Sequence, residues 1–118
     1  MLNRKKRLLN SHSDGWAYVY AVKDGQTSFG ARKNIKSLED LDFLAKLAFD
    51  ECSRREQDYE FAQRVGFGLS LKLRTHAHPD VDVSCRVLIG DMLHVIEHID
   101  RAGTEMYLYL GGGKEIER

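Results

Sequence analysis

The sequence predicts a mainly β fold in a single domain, and three observations carry that prediction. The chain has 118 residues, 42% of them hydrophobic, which suits one domain around one core. Short stretches of alternating or β-branched apolar residues recur along it, each bounded by Gly, Asp or Asn turn chemistry. One stretch only, Arg54 to Gln63, reads best as a short helix.

Taken in order, residues 1 to 15 form a polar arm ending in Asn10-Ser11-His12-Ser13-Asp14-Gly15, which is turn chemistry throughout. Trp16 to Val22 is aromatic and β-branched, a strand by composition. Asp24-Gly25 is a hairpin dipeptide, Gln26 to Phe29 is the candidate return strand, and Gly30 to Asn34 is a loop. Ser37 caps a helix-like start at Leu38-Glu39-Asp40. From there two readings compete. Propensity runs a helix from Leu38 to Arg64, whereas Phe43, Ala45, Leu47 and Phe49 alternate at the period of a strand. Phe67 to Thr75 alternates cleanly, with Leu69, Leu71 and Leu73 on the core face and Lys72 and Arg74 on the other. His76 to Asp82 is a loop holding the single proline. Val83 to Ile89 and Met92 to Ile99 make a hairpin about Gly90-Asp91. Asp100 to Gly103 turns the chain into a last strand, Glu105 to Leu110. Residues 111 to 118, opening on three glycines, read as a flexible tail with nothing to bury.

Charge narrows the function. Lys plus Arg and Asp plus Glu both number 18, so no global field draws nucleic acid or an anionic membrane. No run approaches the ~20 apolar residues of a membrane span, and the basic start lacks the apolar core of a secretory signal. Cys52 and Cys85 lack a C-x-x-C partner and read as reduced, buried thiols, although sequence does not exclude a disulfide between them.

Two motifs suggest metal. His94-Val95-Ile96-Glu97-His98 spells the H-x-x-E-H of inverted zinc peptidases, which works only on a helix. Here it lies between two turns, in a segment of strand length. On a strand the two histidines share a face ~13 Å apart at ~3.3 Å per residue, too far for one zinc. They read instead as strand histidines at a surface or subunit contact. His76-Ala77-His78-Pro79-Asp80 is similar to the H-x-H-x-D-H of β-lactamase-type metallo-hydrolases, but position 81 is Val. A polar loop is the default there. No G-x-S-x-G, P-loop or G-x-G-x-x-G occurs. No catalytic, cofactor or metal site is expected.

The runs "LAFDECSRREQDYEFAQRVGFGLSLKLRT" and "CRVLIGDMLHVIEHIDRAGTEMYLYL" resemble the head-closure proteins of long-tailed phages, also called head-completion, stopper or head-tail adaptor proteins. Ser53, Arg55-Glu56, Phe61-Ala62, Leu71, Lys72, Arg74, Val87, Ile89-Gly90, Ile96, Ile99-Asp100 and Met106 to Leu110 occupy the family's pattern of core and turn positions. His94 departs from it, standing where an aromatic is common. The resemblance spans Leu38 to Leu110 and implies a small β-barrel with a short helix and long loops. It also makes Phe43 to Ser53 mainly strand. The function it implies is architectural. Copies form a ring under the portal and its adaptor, close the DNA-filled capsid and dock the tail. The place is the virion's head-tail interface, with host cytoplasm during assembly. The partners are portal, adaptor and tail proteins, with non-specific contact to packaged DNA allowed and no membrane.

The isolated chain is expected to be monomeric, because its strands show no broad apolar patch. The loops at Gly25 to Asn34 and His76 to Asp82 are expected to order on docking. Phe29, Arg32, Lys33, His76 and His78 are the candidate partner contacts. The rival reading is a small nucleic-acid-binding β-barrel using Arg4-Lys5-Lys6-Arg7, Lys72 and Arg74 on phosphates.

Overall fold

The computed structural model describes residues 14–23, 37–52, 56–66 and 68–116. The arm, the candidate return strand Gln26 to Phe29 and the loop around Arg32 fall outside the described residues. Six strands are present among the described residues: β1 (Gly15–Val22), β2 (Leu41–Glu51), β3 (Leu71–His76), β4 (Arg86–Ile89), β5 (Met92–Ala102) and β6 (Glu105–Glu115). One helix, α1 (Glu56–Val65), joins β2 to β3. The strands close into an antiparallel barrel in the order β1-β2-β3-β6-β5-β4, so closure leaves none of the described strands as a sheet edge.

Alternation builds the core. On β1, Ala17 and Val19 point inward while Trp16, Tyr18 and Tyr20 point outward. Ala45, Phe49, Leu73, Val87, Ile96, Met106, Leu108 and Leu110 fill the interior from the other strands. Val81 and Cys85 reach into it from the loop between β3 and β4. A second apolar cluster lies on the outside of the barrel. Leu88 stands opposite both Tyr18 and Leu93, on the face away from Val87. Leu41 and Ile116 are buried with Leu88 and Leu93, and Tyr20, Val22 and Leu38 pack against them.

The ambiguous segment resolves into strand as far as Glu51 and into helix from Glu56. Ser37 caps only a single 3₁₀ turn, Leu38–Asp40, its hydroxyl accepting the Glu39 N–H, before β2 begins. The register shifts between Val19 and Tyr20, so Val19 faces Ala45 but Tyr20 faces Phe43. This bulge breaks the expected Phe43-Ala45-Leu47-Phe49 row and turns Phe43 outward. Among the described residues the helix runs from Glu56 to Val65, past the expected end at Gln63, and Arg54 and Arg55 lie outside the described residues.

Four other expectations need correction. The alternating run starts as strand only at Leu71; Leu73 and Thr75 are buried, whereas Leu69 and Leu71 are half-buried. β4 starts at Arg86 rather than Val83, because Asp82 holds a turn by accepting both the N–H and the hydroxyl of Ser84. β5 runs on to Ala102, narrowing the expected four-residue turn to Gly103-Thr104. Finally, the glycine tail is not loose. β6 continues through Gly111, Gly112 and Gly113 to Glu115, pairing with Met92, Leu93 and Val95, and Ile116 is 7% exposed. The three glycines look structureless by composition, but a chain without side chains is what allows close packing here. A Cβ on Gly111 would stand 2.5 Å from the Gly68 carbonyl oxygen, and one on Gly113 would stand 2.8 Å from the His94 ring.

Candidate functional site

The histidines of the zinc-like motif end up on different faces of β5. His94 pairs with Val87, whose side chain is in the barrel core, and is itself buried. The register then shifts between Ile96 and His98, which places His98 opposite Tyr109 on the outside. The bulge removes the shared face, and the burial of His94 opposite Val87 removes its surface position. The His94 Nδ1 is buried without a hydrogen-bond partner, and burial holds the imidazole pKa below its ordinary value. The His98 Nε2 lies 3.0 Å from Asp100, and its ring packs 4.8 Å from Phe61 of α1. Among the described residues, no three His, Cys, Asp or Glu side chains come together as a metal-binding group.

The loop carrying His76 and His78 is tied to the barrel by hydrogen bonds. His76 is exposed and its Nδ1 lies 3.3 Å from Glu105. His78 accepts the Asp80 N–H at Nδ1, 3.2 Å away. Arg101 on β5 donates to the carbonyls of His78 and Val81, while the Val81 side chain is fully buried in the barrel. His76 is exposed and His78 half-buried, beside the exposed Ala77, Pro79 and Asp80 of the same loop. Phe29, Arg32 and Lys33 lie outside the described residues.

Of the cations assigned to phosphate contact, Lys72 and Arg74 have protein partners, and Arg4 to Arg7 lie outside the described residues. Lys72 Nζ donates to Asp58 of α1 at 3.1 Å and stands over the Tyr109 and Tyr107 rings. Burial opposes the Lys72 charge, but hydrogen bonding to Asp58 and the attraction of Tyr109 and Asp58 together outweigh it and raise the pKa. Arg74 donates to Asp50 at 2.7 Å and lies 3.8 Å from Glu105. These contacts count against the rival nucleic-acid reading for this face. Both cysteines are free; Cys85 is buried and Cys52 half-buried, and burial raises both thiol pKa values.

Two outer surfaces stand out once the barrel is closed. On the β1–β2 wall, Trp16 and Phe43 are 52% and 59% exposed, two outward aromatics that the strand pattern did not mark. Lys46 holds its ammonium 4.4 Å over Trp16 and 5.6 Å from the Tyr18 ring, and Tyr20 meets Phe43 edge-on at 5.8 Å. Aromatic faces around one cation make an amphipathic surface suited to a mixed apolar and acidic partner. No signal in the sequence marked it, because β1 reads as strand without saying which face the barrel buries. The second surface is α1. Its inner side is Asp58, Phe61 and Ala62, with Phe61 against His98 and Tyr109. Its outer side carries Glu56, Tyr59, Glu60 and Gln63, all exposed. Glu60, Gln63 and Arg64 line a shallow open hollow of about 350 Å³. No protein-family model matches the chain, and no curated protein matches it in sequence.

Proposed function

We propose that this chain is a structural subunit of the head-tail connector of a long-tailed phage. Copies form a ring that closes the DNA-filled capsid and docks the tail, without performing a reaction. The observation that supports this reading is where the head-closure-like pattern falls on the barrel. Val87, Ile96, Met106, Leu108 and Leu110 of the pattern are buried interior residues. Ile89-Gly90 lies at the β4–β5 turn, Phe61-Ala62 forms the seat of α1, and Lys72 ties β3 to that helix. A pattern made of core, turn and helix-seat positions describes a scaffold, and a scaffold recognises its neighbours by surface patches. The ring's neighbours are the portal or adaptor on one side and tail proteins on the other.

The experiment is deletion of the gene from a phage that carries it, followed by electron microscopy of the particles. Filled capsids that leak DNA and lack tails are expected. Normal tailed virions would overturn the reading.

A further inference from the structure

The two outer surfaces occupy opposite walls. Around the closed barrel, β1 is diametrically across from β6 and β2 across from β5. The aromatic patch with Lys46 belongs to β1 and β2. Helix α1 covers the other side, through Phe61 on His98 of β5 and Tyr109 of β6. The patch is apolar with a cation at its centre. The outer side of α1 is acidic in its first half, with Tyr59, 48% exposed, beside Glu56 and Glu60, and Arg64 stands exposed in its last turn.

We propose that copies of this chain bind head to tail, the Trp16–Phe43–Lys46 face of one seated on the Glu56–Tyr59–Glu60–Gln63 side of α1 in the next. The inference rests on the ring reading for its biological setting, and it names that ring's internal contact. Charge selects the occupant. A two-fold contact of the patch with itself would set Lys46 against Lys46. The head-to-tail contact sets Lys46 against Glu60 and Glu56 instead. Placing the complementary surfaces on opposite walls gives a heterologous contact that each added copy repeats, which closes as a ring if the rotation allows. The hollow at Glu60, Gln63 and Arg64 offers a seat for an aromatic ring from the neighbour. Lys46 keeps its π contacts and gains a carboxylate.

The test uses the full chain prepared in natural and ¹⁵N-labelled forms, mixed at high concentration. A zero-length carbodiimide then joins amines to carboxylates in contact. Peptides of mixed isotope linking Lys46 to Glu60 or Glu56 are expected. Lys46→Glu or Glu60→Lys alone should abolish the link between positions 46 and 60. The two reversals together should restore it with the chemistry exchanged, provided circular dichroism shows each variant folded. Absence of mixed-isotope product, or links from Lys46 only to acids of its own strand such as Asp42, would overturn the contact. Gene deletion decides the connector reading separately. A 46–60 link with normal virions retains the contact and removes the phage role, and leaking tailless capsids without the link do the reverse.

Discussion

At His94 a polar ring is buried with one nitrogen unpartnered, which costs folding free energy that the neighbouring contacts must offset. Val87 lies opposite it on β4, and Gly113 of β6 closes against its ring. The pKa is depressed by burial. The unfolded chain therefore binds the proton more readily than the folded one. Stability is full above the ordinary histidine pKa of about 6.5 and falls as pH drops from there through the folded pKa. Urea midpoints measured between pH 8 and pH 5 should fall in the wild type and fall less in His94→Phe, with parallel slopes sinking the assignment. The adjacent glycines give a second test. Gly111→Ala sets a methyl against the Gly68 carbonyl, and backbone cannot yield as a side-chain tip can, so a loss of about 1–3 kcal/mol is expected. Gly68→Ala is the control, since nothing lies within 4 Å of its added Cβ. Equal costs for the two would show that the crossing is not tight. None of this was legible beforehand, because a glycine run and a strand histidine carry no mark of what crosses them.

At the scale of elements, the sequence was informative about type and less so about faces. The alternation around Leu71 marked a strand, and "REQDYEFAQ" marked the helix, because periodicity follows from local geometry. The outward turns of Phe43 and His98 escaped it, since each depends on one extra residue in a ladder whose partner strand is distant in sequence. The same limit affects β3. Leu73 is fully buried and Leu71 is not, so Leu73→Ala should cost about 2–5 kcal/mol and Leu71→Ala clearly less. Lys72, on the outward face, is not a bystander as its register suggests. Its partner Asp58 is 8% exposed, and Asp58→Ala leaves a partly buried ammonium without its carboxylate. A loss of about 1–3 kcal/mol is expected. Hydrogen exchange should show faster opening of residues 56–65 in that variant than in the wild type. Unchanged exchange would mean that Phe61 alone seats the helix.

For the whole molecule, closure depends on the end of the chain. β6 stands between β3 and β5, and its last residues pair with the start of β5, Lys114 with Leu93 and Glu115 with Met92. The Ile116 N–H then donates to the Asp91 carbonyl at 3.0 Å, and the side chain completes the outer cluster of Leu41, Leu88 and Leu93. One residue thus ties the β4–β5 turn to an apolar layer that also includes Tyr18, Tyr20 and Val22 of β1. Ile116→Ala removes most of a buried aliphatic side chain and should cost about 2–5 kcal/mol. Ending the chain at Gly111 removes the pairing as well, so its unfolding midpoint should fall further. It should also expose Leu88 and Leu93, which a dye sensitive to apolar surface will report at concentrations where the wild type binds none. The aromatic patch at Trp16 lies on the neighbouring wall and keeps its own contacts with Lys46. Fluorescence of this single tryptophan should therefore stay native-like in Ile116→Ala below its transition. If the truncated chain instead unfolds at the wild-type midpoint, β6 closes the barrel with its first half alone and the C-terminal strand extension carries no stability.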